Sequence, residues 1–132
     1  MHYFISMIFS QFSNLNLKLL ELSDRPSYID QIYACILHVG NDHWVVISKE
    51  NEEICLYDTK YEAGRVEQIL KSIKLMFVYP RDRATFSKKC ISIKPVSQHT
   101  KKNISGYCSL AFLTSLCLIQ ILYFVLLQKN QL

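Results

Sequence analysis

His43, Asp58 and Cys108 are the residue types that acyl-transfer chemistry requires. A thiolate attacks a carbonyl carbon, an imidazole moves the proton, and a carboxylate orients the imidazole. His43 stands in GNDHWVVIS, residues 40–48, where a turn signal runs into an apolar strand pattern and the chain's single tryptophan, Trp44, follows. The packing alternative is that Trp44 fills a core and His43 is a polar turn residue. A His–Asp pair by itself is weak evidence, because such pairs are common on protein surfaces.

The strand patterns on either side of KENEE pair on paper as a hairpin centred between Glu50 and Asn51. Ile47 then faces Ile54, Val46 faces Cys55, Val45 faces Leu56 and Trp44 faces Tyr57. His43 falls directly opposite Asp58. Directly opposed side chains share a face with their Cβ atoms about 5 Å apart. A carboxylate in that place fixes the imidazole tautomer and favours its protonated form. A slip of one residue would send the two to opposite faces.

Cys108 follows a polar, glycine-containing loop and precedes an apolar run. A thiol at a helix N-terminus meets the positive end of the helix dipole, which favours the thiolate. The first unpaired N–H groups of such a helix also suit an oxyanion. Cys35, Cys55 and Cys117 lie in apolar runs and read as core. Cys90 opens an edge-strand pattern. Five cysteines without close spacing argue against a disulfide framework and for a reducing compartment. Cys35 and His38 sit three apart in a strand and point to opposite faces, so no metal site is expected there.

Residues 2–22 have apolar residues at roughly helical spacing and predict one or two short helices. Strands are predicted over 31–39, 43–48 and 54–58. Gly40, Asn41 and Asp42 supply a turn. An amphipathic helix is predicted over EAGRVEQILKSIKL, residues 62–75, then strands over KLMFVYP and CISIKPV, and finally a helix through the apolar tail. This order is α+β around a mostly antiparallel sheet.

A chain of 132 residues suggests one domain spanning 1–132. Half its residues are hydrophobic, which excludes a disordered chain. The net charge is +4, with scattered lysines apart from Lys88-Lys89 and Lys101-Lys102. No aromatic side chains interleave with them, so no nucleic-acid partner is expected. The first residues lack the basic segment and cleavage site of a secretory signal. Leu110 to Leu127 contains no charge, and as a helix it would extend roughly 27 Å, near the minimum for a membrane crossing. By composition, a buried helix and a membrane span fit it equally.

HWVVIS, CLYD, a polar loop bearing Gln98, and GYCSLAFLTSL together resemble the ubiquitin-like-protein-specific cysteine proteases. These are the SUMO-protease-type peptidases, and the likeness is strongest to the divergent versions carried by invertebrate mobile elements. The resemblance runs from about residue 31 to residue 116. It implies a papain-like or adenain-like cysteine protease fold whose central buried helix starts at the nucleophilic cysteine. It makes His43 the base, Asp58 the orienting acid and Cys108 the nucleophile. Gln98 becomes the oxyanion donor, and Trp44 the aromatic residue of a narrow substrate channel. The implied activity is cleavage of peptide or isopeptide bonds after a ubiquitin-like C-terminus. It needs no cofactor and no metal. It also implies a monomer in the nucleus or cytoplasm, with a buried rather than membrane-spanning tail.

The family has an acidic residue before its cysteine and a glycine after it, where this chain has Tyr107 and Ser109. The family's glutamine spacing falls near Lys102, several residues from Gln98. The family's catalytic domain is also longer on its N-terminal side, so a truncated copy is an expectation too. Two alternatives therefore stand beside the peptidase. One is a catalytically degenerate relative that only binds a ubiquitin-like partner. The other is a small tail-anchored membrane protein.

Overall fold

The computed structural model describes residues 2–28, 33–40, 43–50, 52–99 and 104–130. The elements are α1 (His2–Gln11), β1 (Leu17–Glu21), β2 (Ala34–His38), β3 (Trp44–Glu50), β4 (Glu53–Tyr57), α2 (Arg65–Phe77), β5 (Ile91–Ile93) and α3 (Ser105–Asn130). The five strands form one sheet in chain order. The fold is α+β with a mixed sheet. β2–β3 and β3–β4 are antiparallel, but β1–β2 and β4–β5 are parallel, so the expected mostly antiparallel sheet is corrected.

Alternation along the strands sends side chains to two separate cores. Val45 and Ile47, with Ile54 and Leu56, pack under Val66, Ile69, Ile73, Met76 and Phe77 of α2. Ala34 and Val46 face Leu113, Leu116 and Cys117 of α3. Ile36 and Trp44 face Leu110 of α3 and Ile5 of α1. The sheet is thus sandwiched between α2 on one side and α1 with α3 on the other. Each fully buried aliphatic side chain contributes roughly 1.5–3 kcal/mol. Cys35, Cys55 and Cys117 are buried, as expected of core thiols, and burial pushes the Cys35 thiol up to about 12.

Three element predictions change. Residues 17–21 form a strand rather than a second helix, because Leu17 packs towards α3 and Leu20 towards α2 once β1 pairs with β2. Pairing in a sheet overrides leucine's helical preference. Residues 74–77 end α2 instead of forming a strand, since Ile69, Ile73, Met76 and Phe77 continue one helical stripe into the core. The helix stops at Val78, with extended backbone, two residues before Pro80. The tail helix starts three residues before Cys108. It is buried only through its first half: Leu118, Ile119 and Leu122 to Leu127 are all exposed. Gln31, at the predicted start of β2, and Asn41-Asp42 of the predicted turn lie outside the described residues, as do Lys101 and Lys102.

Candidate active site

The β3–β4 hairpin pairs Val46 with Tyr57, Ile47 with Leu56 and Glu50 with Glu53. Every pair is displaced by two residues from the predicted register. The ladder runs on to Glu50 and Glu53, leaving two residues between the strands, with Glu52 at a positive φ of 68°. Two-residue loops suit the twist of paired strands, and closing this one adds ladder pairs that a longer loop would forgo. The hairpin tip is further held by Glu50, which accepts hydrogen bonds from Ser48 Oγ at 2.5 Å and Tyr57 Oη at 2.8 Å.

A displacement of two preserves the face of every side chain, so the His43–Asp58 pairing survives the error. The two residues are now diagonal neighbours beyond the end of the ladder, farther apart than directly opposed ones. The far ring nitrogen spans that distance: His43 Nε2 lies 2.7 Å from Asp58 Oδ1. Both residues are buried. Nδ1 of His43 has no hydrogen-bond partner among the described residues. The carboxylate therefore holds one ring nitrogen and leaves the other available for proton transfer.

Asp58 accepts two hydrogen bonds besides the one from His43. Oδ1 also accepts the Lys60 backbone N–H at 2.9 Å, and Oδ2 accepts Arg65 Nε at 3.0 Å. Burial alone would raise its proton affinity. The hydrogen bonds from His43 and Lys60, with the charges of His43 and Arg65, outweigh burial and hold its carboxyl below the usual aspartate value. Sequence reasoning missed Arg65. Its signal was a cation at the first position of an amphipathic helix, seven residues after the candidate aspartate.

Cys108 lies in the first turns of α3 and is half-buried. Two serines that the sequence reading passed over clamp this end of the helix to β3. Ser105 Oγ accepts the Trp44 N–H at 3.1 Å, and Ser109 Oγ donates to the Trp44 carbonyl at 2.9 Å. One turn beyond Cys108, Phe112 packs against Tyr57 with ring centroids 5.9 Å apart. Residues four apart share a helix flank. The Cys108 flank thus faces β4, whose last residue, Tyr57, precedes Asp58. By strand alternation His43 and Asp58 face the α2 side of the sheet, whereas Cys108 is carried by α3 on the other side, at the end where Ser105 and Ser109 tie that helix to Trp44. No hydrogen bond joins Cys108 to His43 among the described residues.

Two side chains to which the resemblance gives roles make other contacts here, Trp44 packing as strand alternation expects. Trp44 is not the wall of an open channel. It is only 6% exposed, stacks on His38 at 4.3 Å and meets the edge of His2 at 5.8 Å, beneath α1. By alternation its ring points to the α1–α3 core, which is why it packs instead of lining a cleft. Gln98 is not poised as an oxyanion donor. Its Nε2 donates to the carbonyls of Asp58, at 2.8 Å, and Val96, at 3.2 Å, while Oε1 accepts the Tyr61 N–H at 2.8 Å. Gln98 instead ties down the loop that carries Asp58. The Cys108 N–H is also spent, donating to the Ile104 carbonyl at 3.0 Å, because the helix begins before the cysteine. The N–H groups of Gly106 and Tyr107 have no partner among the described residues and are the donors left near the thiol. Gln98→Ala is accordingly expected to change Cys108 reactivity by less than about threefold. It should lower stability by about 1 kcal/mol, read by chemical denaturation. A loss of 10²–10³ in rate would restore the oxyanion role.

A groove of about 470 Å³ lies between the hairpin tip and α3, lined by Tyr33, Lys49, Glu50, Leu116, Ile119, Gln120 and Tyr123. It is at the opposite end of β3 from His43 and does not belong to this site. No protein family, no curated protein and no solved structure matches the chain.

Proposed function

We propose that the chain is a cysteine peptidase of the ubiquitin-like-protein-specific type, with a papain-like arrangement of helix and sheet. The reading rests on one observation above all: a buried histidine whose Nε2 is held by a buried carboxylate at 2.7 Å, at the sheet end to which the Cys108 helix is clamped. A hydrogen-bonded pair on a solvated surface is commonplace; a buried pair that leaves Nδ1 unengaged suits proton transfer.

In this reading His43 Nδ1 takes the Cys108 proton, and the thiolate attacks the carbonyl that follows a ubiquitin-like C-terminus. The imidazolium then protonates the departing amine, leaving a thioester that water hydrolyses. Asp58 stays ionised and keeps the ring oriented. The N–H groups of Gly106 and Tyr107 serve the oxyanion. The thiol–imidazole contact forms when substrate binds, as catalytic hydrogen bonds tighten in the complex. The substrates are ubiquitin-like proteins or their conjugates, and the enzyme acts as an intracellular monomer, in nucleus or cytoplasm, without cofactor.

The test is labelling of the full chain with a ubiquitin-like protein bearing a C-terminal electrophile. An adduct is expected at Cys108, absent in Cys108→Ser and slowed about 10²–10⁴-fold in His43→Ala. No adduct at any pH leaves the degenerate relative, a binding module only.

A specific observation favours a second reading, a tail-anchored membrane protein. The distal half of α3 exposes apolar side chains around its whole circumference, and the helix is long and apolar enough to cross a membrane. A groove partner covers one face of a helix, whereas lipid covers all of them. Flotation of the full chain with phosphatidylcholine vesicles after alkaline carbonate treatment supports this reading, and complete release removes it.

A further inference from the structure

We propose that Arg65 is a positioning residue for the His43–Asp58 pair: it holds Asp58 Oδ2 so that Oδ1 is presented to the imidazole. The consequence for catalysis rests on the peptidase reading; the geometry does not.

Arg65 occupies an electrostatically unfavourable place. It is the first residue of α2, where the positive end of the helix dipole repels cations. It is also only 7% exposed, and a buried cation is tolerated only when paired and hydrogen-bonded. Its partners account for that tolerance. Nε donates to Asp58 Oδ2 at 3.0 Å, Nη1 to Gln68 Oε1 at 2.9 Å and Nη2 to the Lys60 carbonyl at 3.4 Å, with Glu62 Oε2 3.9 Å away. The planar guanidinium is thereby locked, and it locks the carboxylate plane in turn.

One carboxylate thus serves two cationic groups, Oδ1 facing His43 and Oδ2 facing Arg65. A lone carboxylate would hold the protonated imidazole strongly. Arg65 takes a share of the carboxylate that faces His43, and its removal would leave Asp58 to the imidazole and the Lys60 N–H alone. The other charged or titratable groups nearby are Glu62 and Lys60 around Arg65, and His99 bonded to Thr59. Cys108 belongs to α3, while His2 and His38 lie against Trp44. None of these provides a second hydrogen-bonded cation on Oδ2.

The test follows the His43 imidazole by ¹H–¹⁵N NMR in the full chain, with His43→Gln used only to assign its signal. In Arg65→Gln the titration midpoint should rise by about one pH unit. In Arg65→Lys the charge remains but the fork geometry is lost, so a smaller rise is expected. The pH profile of Cys108 alkylation by iodoacetamide should move in the same order. A folded Arg65→Gln protein with an unchanged midpoint overturns the proposal. Should that variant not fold, Arg65→Lys decides it, an unchanged midpoint overturning the role and a partial rise supporting it. A purely structural tie would lower stability without moving the midpoint. If the midpoints follow this order but Cys108 takes no electrophile, the peptidase reading falls and this one stands. If the adduct forms and the midpoints do not move, only the role of Arg65 falls.

Discussion

Asp58→Ala costs the folded state about 3–5 kcal/mol and slows adduct formation at Cys108, by no more than His43→Ala does. The cost is large because the substitution strands two buried partners at once. Arg65 keeps its charge with no carboxylate opposite it, and His43 Nε2 loses its acceptor. Lys60 N–H is left unpaired as well. Against a total stability of about 5–15 kcal/mol for a domain of this size, that loss is severe. Asp58→Asn keeps the shape and an acceptor oxygen but removes the charge, so a smaller loss is expected. Equilibrium urea denaturation measures both; a cost below about 1 kcal/mol for the alanine variant would show that the buried pair contributes little. The pH dependence has a definite sign. A carboxyl held below its unfolded value contributes stability that is fully present above the unfolded value, near pH 4, and is lost as pH falls through the folded one. The gap between wild type and Asp58→Asn should therefore close on going from pH 5 towards pH 2. A constant gap would contradict the ionised, hydrogen-bonded carboxylate.

Removing residues 122–132 should leave the unfolding free energy within about 1 kcal/mol of the full chain while reducing its association with itself or with lipid. The cut spares Leu113, Leu116 and Cys117, which face the sheet, and Ile121, which packs against them. Leu122 to Leu127 are exposed, so deleting them forfeits little core burial. Their contiguous apolar surface, however, is of the kind that drives self-association or lipid binding. Light scattering in detergent-free buffer should find the shortened protein monodisperse and the full chain associated. A stability loss of several kcal/mol on truncation would mean that this half of α3 is packed rather than exposed.

Much of the site was legible because strand alternation is robust. The hairpin count was wrong by two residues, yet His43 and Asp58 still shared a face, since only an odd slip reverses a pleat. The count could not show which ring nitrogen would be used; the diagonal separation decided that. Arg65 was illegible for the opposite reason. Nothing local distinguishes an arginine at a helix start from a solvated one, and its meaning appears only when α2 crosses the sheet and brings it to Asp58. Gln98 and Trp44 were assigned roles by resemblance, and contacts from distant segments engage both differently: Gln98 is spent on the Asp58 loop, and Trp44 is covered by α1.

The sequence by itself determined the buried strands β2 to β4, the amphipathic α2, the core cysteines and the identity of the histidine and aspartate that pair. These follow from local periodicity, which depends only on the pitch of strand and helix. Tertiary structure alone decided that β1 and β5 join in parallel. It also decided that α3 begins before Cys108 and leaves its distal half uncovered, and that a buried arginine completes the Asp58 shell. Those outcomes depend on which segments meet in space, and residue spacing along the chain carries no record of that.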